Sequence, residues 1–212
     1  MIKFIESQQG WAFSFAPKDI HCILWGLGGF LVDTRDLPDD ALHVLNRLNA
    51  PPRLIAHLTL VHDVTTEILK SLDAQWQNLP LDKNAVLFGA ATHDIGKVLH
   101  PDELVGPGRN HEQDGPGLLE QMGIPADRSR FARTHGTWKQ EATLALEDII
   151  VALADTCWKG KRDEELESNL ASRIAGLQGI KEWEAFIALD EIVARIAAHA
   201  EERLAWQSQF NR

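Results

Sequence analysis

Two segments of this chain are too apolar to fold anywhere but inside a core, and each carries a carboxylate into it. Ala85-Val86-Leu87-Phe88-Gly89-Ala90-Ala91 is apolar on every side of a helix and runs into Thr92-His93-Asp94. Val151-Ala152-Leu153-Ala154 runs directly into Asp155. Carboxylate and imidazole lose their hydration in such surroundings, so the fold must supply partners for them. A metal ion is one such partner, because it binds neutral imidazole and carboxylate together. A hydrogen bond closing the end of the helix is the other.

The rest of the chain sets these segments in a helical context. Leu37-Pro38-Asp39-Asp40 has the proline and acidic residues of a first turn, and Ala41 to Asn49 follow as a helix. Asn49-Ala50-Pro51-Pro52 ends it and starts a longer one reaching about Trp76. In that helix Leu54, His57, Val61, Val64, Ile68 and Leu72 recur at spacings of three and four. Further helices are expected over 83–93, 114–122, 126–135, 141–158, 163–177 and 181–206. Between them, residues 98–110 hold Pro101, Gly106, Pro107 and Gly108 and read as a loop long enough to be functional. Alternating strand patterns are nearly absent after residue 40. Only Trp11-Ala12-Phe13-Ser14-Phe15 suggests a short strand. The expectation is an all-α bundle over residues 37–212, with its motifs in 50–160, C-terminal helices over 163–206 and a small N-terminal arm over 1–36.

Charge narrows the partners. The 212 residues include 21 Lys plus Arg and 31 Asp plus Glu, a formal net charge of −10. That sign is wrong for an extended nucleic-acid or anionic-lipid surface. Two cysteines, Cys22 and Cys157, make no disulfide framework and suit a reducing compartment. The apolar run Cys22 to Val32 is too short to span a bilayer, and Glu6-Ser7-Gln8-Gln9 breaks any leader-peptide core. These features lead us to expect a cytoplasmic globular protein.

Of nine histidines, His93 is joined by three others that sit at helix ends or on a helix face. His57 lies on the long helix, His111 opens His111-Glu112-Gln113-Asp114-Gly115, and His135 ends the stretch from Arg128 to Thr134. With Asp94 and Asp155, several helices each offer a ligand to a common interior. His21, His43, His100 and His199 match no pattern. Gly26-Leu27-Gly28-Gly29 is not a dinucleotide fingerprint, since Leu31 holds the third glycine position, and His111-Glu112 lacks the second histidine of a zinc-protease helix. Cys157 has no histidine arrangement that marks it as a nucleophile and reads as a small core residue.

On Ala91-Thr92-His93-Asp94-Ile95-Gly96-Lys97, Asp155 and the order His, His-Asp, His, His, Asp, the chain resembles the HD-domain metal-dependent phosphohydrolase superfamily over roughly residues 50–160. The order matches its six-ligand, two-metal branch. The resemblance implies a helical bundle in which His57, His93, Asp94 and Asp155 hold one ion. It assigns His111 and His135 to a second, with Asp94 bridging. Two divalent transition ions, drawn from Fe, Mn, Ni, Co and Zn, would then generate a hydroxide nucleophile near neutral pH. The family pattern favours His57 over His62 as the first ligand, because small or apolar residues follow it at Val61, Val64, Thr65 and Ile68. The two side chains point about 140° apart on a straight helix, so they do not readily share an ion.

The implied function is hydrolysis of a phosphomonoester or phosphodiester, with a small nucleotide as the expected substrate class. Asp94 and Lys97 would be catalytic, and Lys97, Arg109 and Lys159 would bind the anionic substrate. Two alternatives share the sequence pattern. One is a di-iron oxygenase, as in the branch of the superfamily that resembles myo-inositol oxygenase. The other is a binding module without catalysis, which the full ligand set argues against. A homodimer through Trp183, Ile192, Ile196 and Trp206 is compatible with the apolar C-terminal helices.

Overall fold

The computed structural model of the protein describes residues 35–210 except Ala142, and every regular element among the described residues is helical. The N-terminal arm, including the expected strand at 11–15, falls almost wholly outside the described residues. Helix α1, Asp39–Arg47, begins with two acidic residues that complement the positive end of its dipole. Asn49 then takes a left-handed backbone with φ 48°. Pro51-Pro52 opens the 24-residue α2, Pro52–Gln75, with proline at the start, where the missing N–H costs nothing. Helix α3, Lys83–Thr92, is capped by the Asp82 carboxylate, which accepts from the Ala85 N–H at 3.0 Å. As its sequence demands, α3 is buried along almost its whole length.

The segment expected as a loop at 98–110 is shorter and more ordered than that. A 3-10 turn at Ile95–Val98 and another at Pro101–Leu104 occupy its first half. Helix α4 spans Asn110–Gln121, starting four residues before the expected 114 despite Pro116 inside it. The reason is a cap from elsewhere: Glu103 accepts the main-chain N–H groups of Asn110 and His111 at 3.0 and 3.2 Å. The expected helix at 126–135 is two pieces, α5 (Ala126–Ser129) and α6 (Phe131–Thr137). Helix α7 is Leu146–Cys157, not 141–158, because the Asp148 carboxylate accepts from the Ala145 N–H at 3.0 Å and sets its first turn.

Helix α8, Glu164–Gln178, ends at Gly179, whose φ of 65° suits a residue without Cβ. The expected helix at 181–206 is broken into α9, Glu182–Ala197, and α10, Ala200–Ser208. Arg203 accounts for the break. Its buried guanidinium donates to the Ile196 carbonyl at 2.7 Å and the Trp158 carbonyl at 2.6 Å, gathering the ends of α9 and α7. Ile192, Ile196 and Trp206 are buried within the chain itself. Of the four residues of the expected dimer face, only Trp183 is exposed, at 58%.

Helices α2 and α3 pack side by side with α7 across both, and α4 lies against α6 and the first 3-10 turn. One core cluster joins Leu45, Leu54, Leu58, Phe88, Ile95, Leu119 and Ala132. Each large side chain buried there is worth roughly 1.5–3 kcal/mol over leaving it in water. Arg128 stacks its guanidinium 3.9 Å above the Phe88 ring and pairs with Asp40 at 2.6 Å, closing the core at α1. No helix among the described residues is long and apolar enough to cross a membrane.

Candidate metal centre

Five helices end, or nearly end, around one point. His57 comes from the second turn of α2, and His93 and Asp94 follow the last residue of α3. His111 stands in the first turn of α4, His135 near the end of α6, and Asp155 in the last turn of α7. The Nε2 atoms of His57 and His93 are 3.2 Å apart. Asp94 Oδ2 lies 3.0 Å from the first and 3.7 Å from the second. Asp155 Oδ1 lies 3.4 and 3.5 Å from the same two atoms. The other oxygen of Asp94 turns the opposite way, with Oδ1 3.1 Å from His111 Nε2 and 3.4 Å from His135 Nε2. Two donor groups, His57-His93-Asp94 and Asp94-His111-His135, thus share one carboxylate, and each is compact enough to hold an ion.

The rings are aimed from behind. His93 donates from Nδ1 to the Ala90 carbonyl at 2.9 Å, and His135 donates from Nδ1 to the Phe131 carbonyl at 3.0 Å. A carbonyl only accepts, so those nitrogens carry a proton, and whenever the rings are neutral their Nε2 lone pairs face the carboxylates. Lone pairs and carboxylates crowded this closely repel one another unless a proton or a cation lies between them. A mixed imidazole and carboxylate set in that state fits a borderline divalent transition ion.

Burial works against ionising Asp94, yet in the metal-free protein the charge that His93 carries when protonated, and hydrogen bonds from the protonated rings of His111, His135 and His57, hold its carboxyl well below the usual range. Asp155 behaves alike: burial raises it, while His93, His57 and Lys159 bring it far lower. Burial would depress the His111 imidazole, but Asp94 on one nitrogen and Glu103 on the other raise it, with Lys97 opposing. Lys97 Nζ sits 2.5 Å from Asp94 Oδ2, and Lys159 Nζ sits 3.8 Å from Asp155 Oδ2.

A cavity of about 310 Å³ opens over this centre. Lys97 and Lys159 line it together with His57, Asp94, His111, His135 and Asp155. Arg109 does not: it is exposed and stands outside the cavity walls. His62 is buried away from the cluster, with Nδ1 unpartnered among the described residues and 3.9 Å from Asp63 Oδ1.

Several lining residues were absent from the sequence reading. Arg53 is four positions before His57, hence on the same helical face, and that spacing was readable. Its Nε donates to the Leu104 carbonyl at 3.1 Å. Trp158 sets its ring edge-on to His57, centroids 5.0 Å apart, and Gln207 reaches the cavity from α10. Glu112 lines it as well, and its carboxylate lies against Gly136, where any Cβ would overlap it.

A helical bundle that brings histidines and aspartates from five helices to one buried point has the donor set of a metal-binding domain. Residues 54–157 match the family model of the HD domain, a span that contains all six converging residues. Residues 54–157 of the chain are therefore an HD domain. No curated protein and no solved structure matches it.

Proposed function

We propose that the protein is a metal-dependent phosphohydrolase acting on a small anionic phosphoester, with nucleotides the first class to test. The observation that carries the reading is the division of Asp94, one oxygen toward His57 and His93 and the other toward His111 and His135. In this reading His57, His93, Asp94 and Asp155 hold one divalent transition ion, and Asp94, His111 and His135 hold a second. Such a pair of ions, when bound, supplies charge against phosphoryl oxygens and lowers the pKa of water.

The chain's own groups do the rest. Asp94 stays ionised at neutral pH, because the surrounding histidines outweigh its burial. Lys97 uses one N–H on Asp94 and has two more to offer a phosphoryl oxygen. Lys159 and Arg53, both in the cavity wall, would receive the remaining negative charge of the substrate. Trp158, Leu54 and Leu104 give the cavity its apolar wall.

The test is metal analysis followed by turnover. Protein purified without chelator under low oxygen is assayed for bound transition metal and then for phosphate or nucleoside release from a nucleotide panel. About two ions per chain and metal-dependent release support the reading. Oxygen consumption by an iron-loaded form with no phosphate release would replace it with the oxygenase chemistry.

A further inference from the structure

Three of the converging imidazoles are held from behind at Nδ1, and one of them differs. His93 and His135 each lie at the end of a helix and donate to a carbonyl one turn earlier, Ala90 and Phe131. His111 stands at the start of α4 and has no preceding turn of its own helix to use. Its Nδ1 instead donates to Glu103 Oε2 at 2.5 Å. Glu103 is buried and also accepts the main-chain N–H groups of Asn110 and His111, so one carboxylate starts the helix and holds the ring on it. Gly108 makes room for it, since a Cβ at that position would overlap the Glu103 carboxyl group.

We propose that Glu103 is the positioning residue for the second half of the centre. By accepting from Nδ1 it keeps the proton there and turns the His111 Nε2 lone pair toward Asp94 Oδ1, 3.1 Å away. A carboxylate behind a ligating histidine also makes the imidazole a stronger donor than a carbonyl does. The two halves of the centre therefore depend on different parts of the fold. His93 is held by a carbonyl of its own helix, whereas the His111 ring is held by Glu103 from the Pro101–Leu104 turn. Arg53 fastens that same turn to α2 through the Leu104 carbonyl. The inference rests on the binuclear reading of the centre.

The experiment uses the full chain stripped of metal, wild type and Glu103→Gln, titrated with Mn(II) or Zn(II) by calorimetry. Histidine tautomers of the stripped proteins are read by long-range nitrogen–proton NMR at a pH where His111 is neutral. Wild type is expected to bind two ions, with His111 protonated on Nδ1. Glu103→Gln is expected to weaken one ion about 10–100-fold, leave the other unchanged and shift His111 toward the Nε2–H tautomer. Equal weakening of both ions with an unchanged tautomer would overturn the proposal, because loss of helix capping alone gives that result. Wild-type protein with His111 protonated on Nε2 would overturn it even if the variant failed to fold. Wild type that binds no metal would instead sink the binuclear reading, while the tautomer still reports on Glu103.

Discussion

The α-carbon of Gly96 faces the main chain of His111 so closely that a Cβ there would overlap the His111 carbonyl oxygen and Cα. The turn after His93-Asp94 thereby packs directly on the first turn of α4, which sets the reach from His111 to Asp94. Backbone does not step aside as a flexible side chain does. Gly96→Ala is therefore expected to destabilise the fold by about 1–3 kcal/mol, in the range of other overpacked sites. It should also weaken metal binding, read together by urea denaturation and metal analysis. A variant with wild-type stability and full metal content would show that the close approach is not needed.

His57 and His62 point to different surroundings, and this separates their roles. His57→Ala removes an Nε2 atom lying within 3.5 Å of His93, Asp94 and Asp155, and is expected to lose metal. His62→Ala is expected to keep it, since its ring is buried outside the cluster. Elemental mass spectrometry of the two purified variants decides the matter, and the reverse pattern would transfer the ligand role to His62.

Glu103 gives the metal-free protein a distinct response to acid. Burial alone would raise its carboxyl, but the His111 ring and two main-chain N–H groups lower it from the ordinary 4.5 to about 2. A depressed carboxyl contributes stability that is complete above pH 4.5 and is lost as pH falls toward 2. The urea midpoint of stripped wild-type protein should fall across that window more steeply than that of Glu103→Gln. Parallel curves would mean that the carboxylate is not held as its geometry implies.

Cys157 is expected to be inert. It is fully buried, and burial pushes its thiol up to about 12, with the nearby Arg203 guanidinium only partly opposing. Iodoacetamide should leave the peptide containing Cys157 unmodified in the native protein and alkylate it in denaturant, as read by mass spectrometry. Rapid native modification would show that the α7 terminus opens readily.

The single variant Asp148→Ala tests the helix that carries Asp155. The Asp148 carboxylate is buried and accepts from Arg130 Nε at 3.0 Å, Thr134 Oγ1 at 2.8 Å and the Ala145 N–H. Its loss leaves three donors behind, one of them charged, and is expected to cost about 3–5 kcal/mol in a denaturation experiment. A cost below about 1 kcal/mol would mean that water replaces the carboxylate without strain.

Much of the architecture was readable because helices write themselves locally. The apolar faces of α2, α3 and α7, the proline at the head of α2 and the glycine after α8 depend only on residues within a turn or two. So does the placement of His57, His93, Asp94, His135 and Asp155 at or near helix ends, since each stands beside its own apolar run or turn. The sequence therefore determined by itself that this chain is helical, while the six ligand candidates came from the resemblance that its motif order carries. What tertiary structure decided is every relation across elements. Glu103 starts α4 and holds His111, and Arg203 breaks the last helix by gathering carbonyls from α7 and α9. Arg109 stays outside the cavity while Arg53, Trp158 and Gln207 line it. These are contacts between residues far apart along the chain, and hydrophobic period and turn chemistry act over only a few residues, so neither carries information about them.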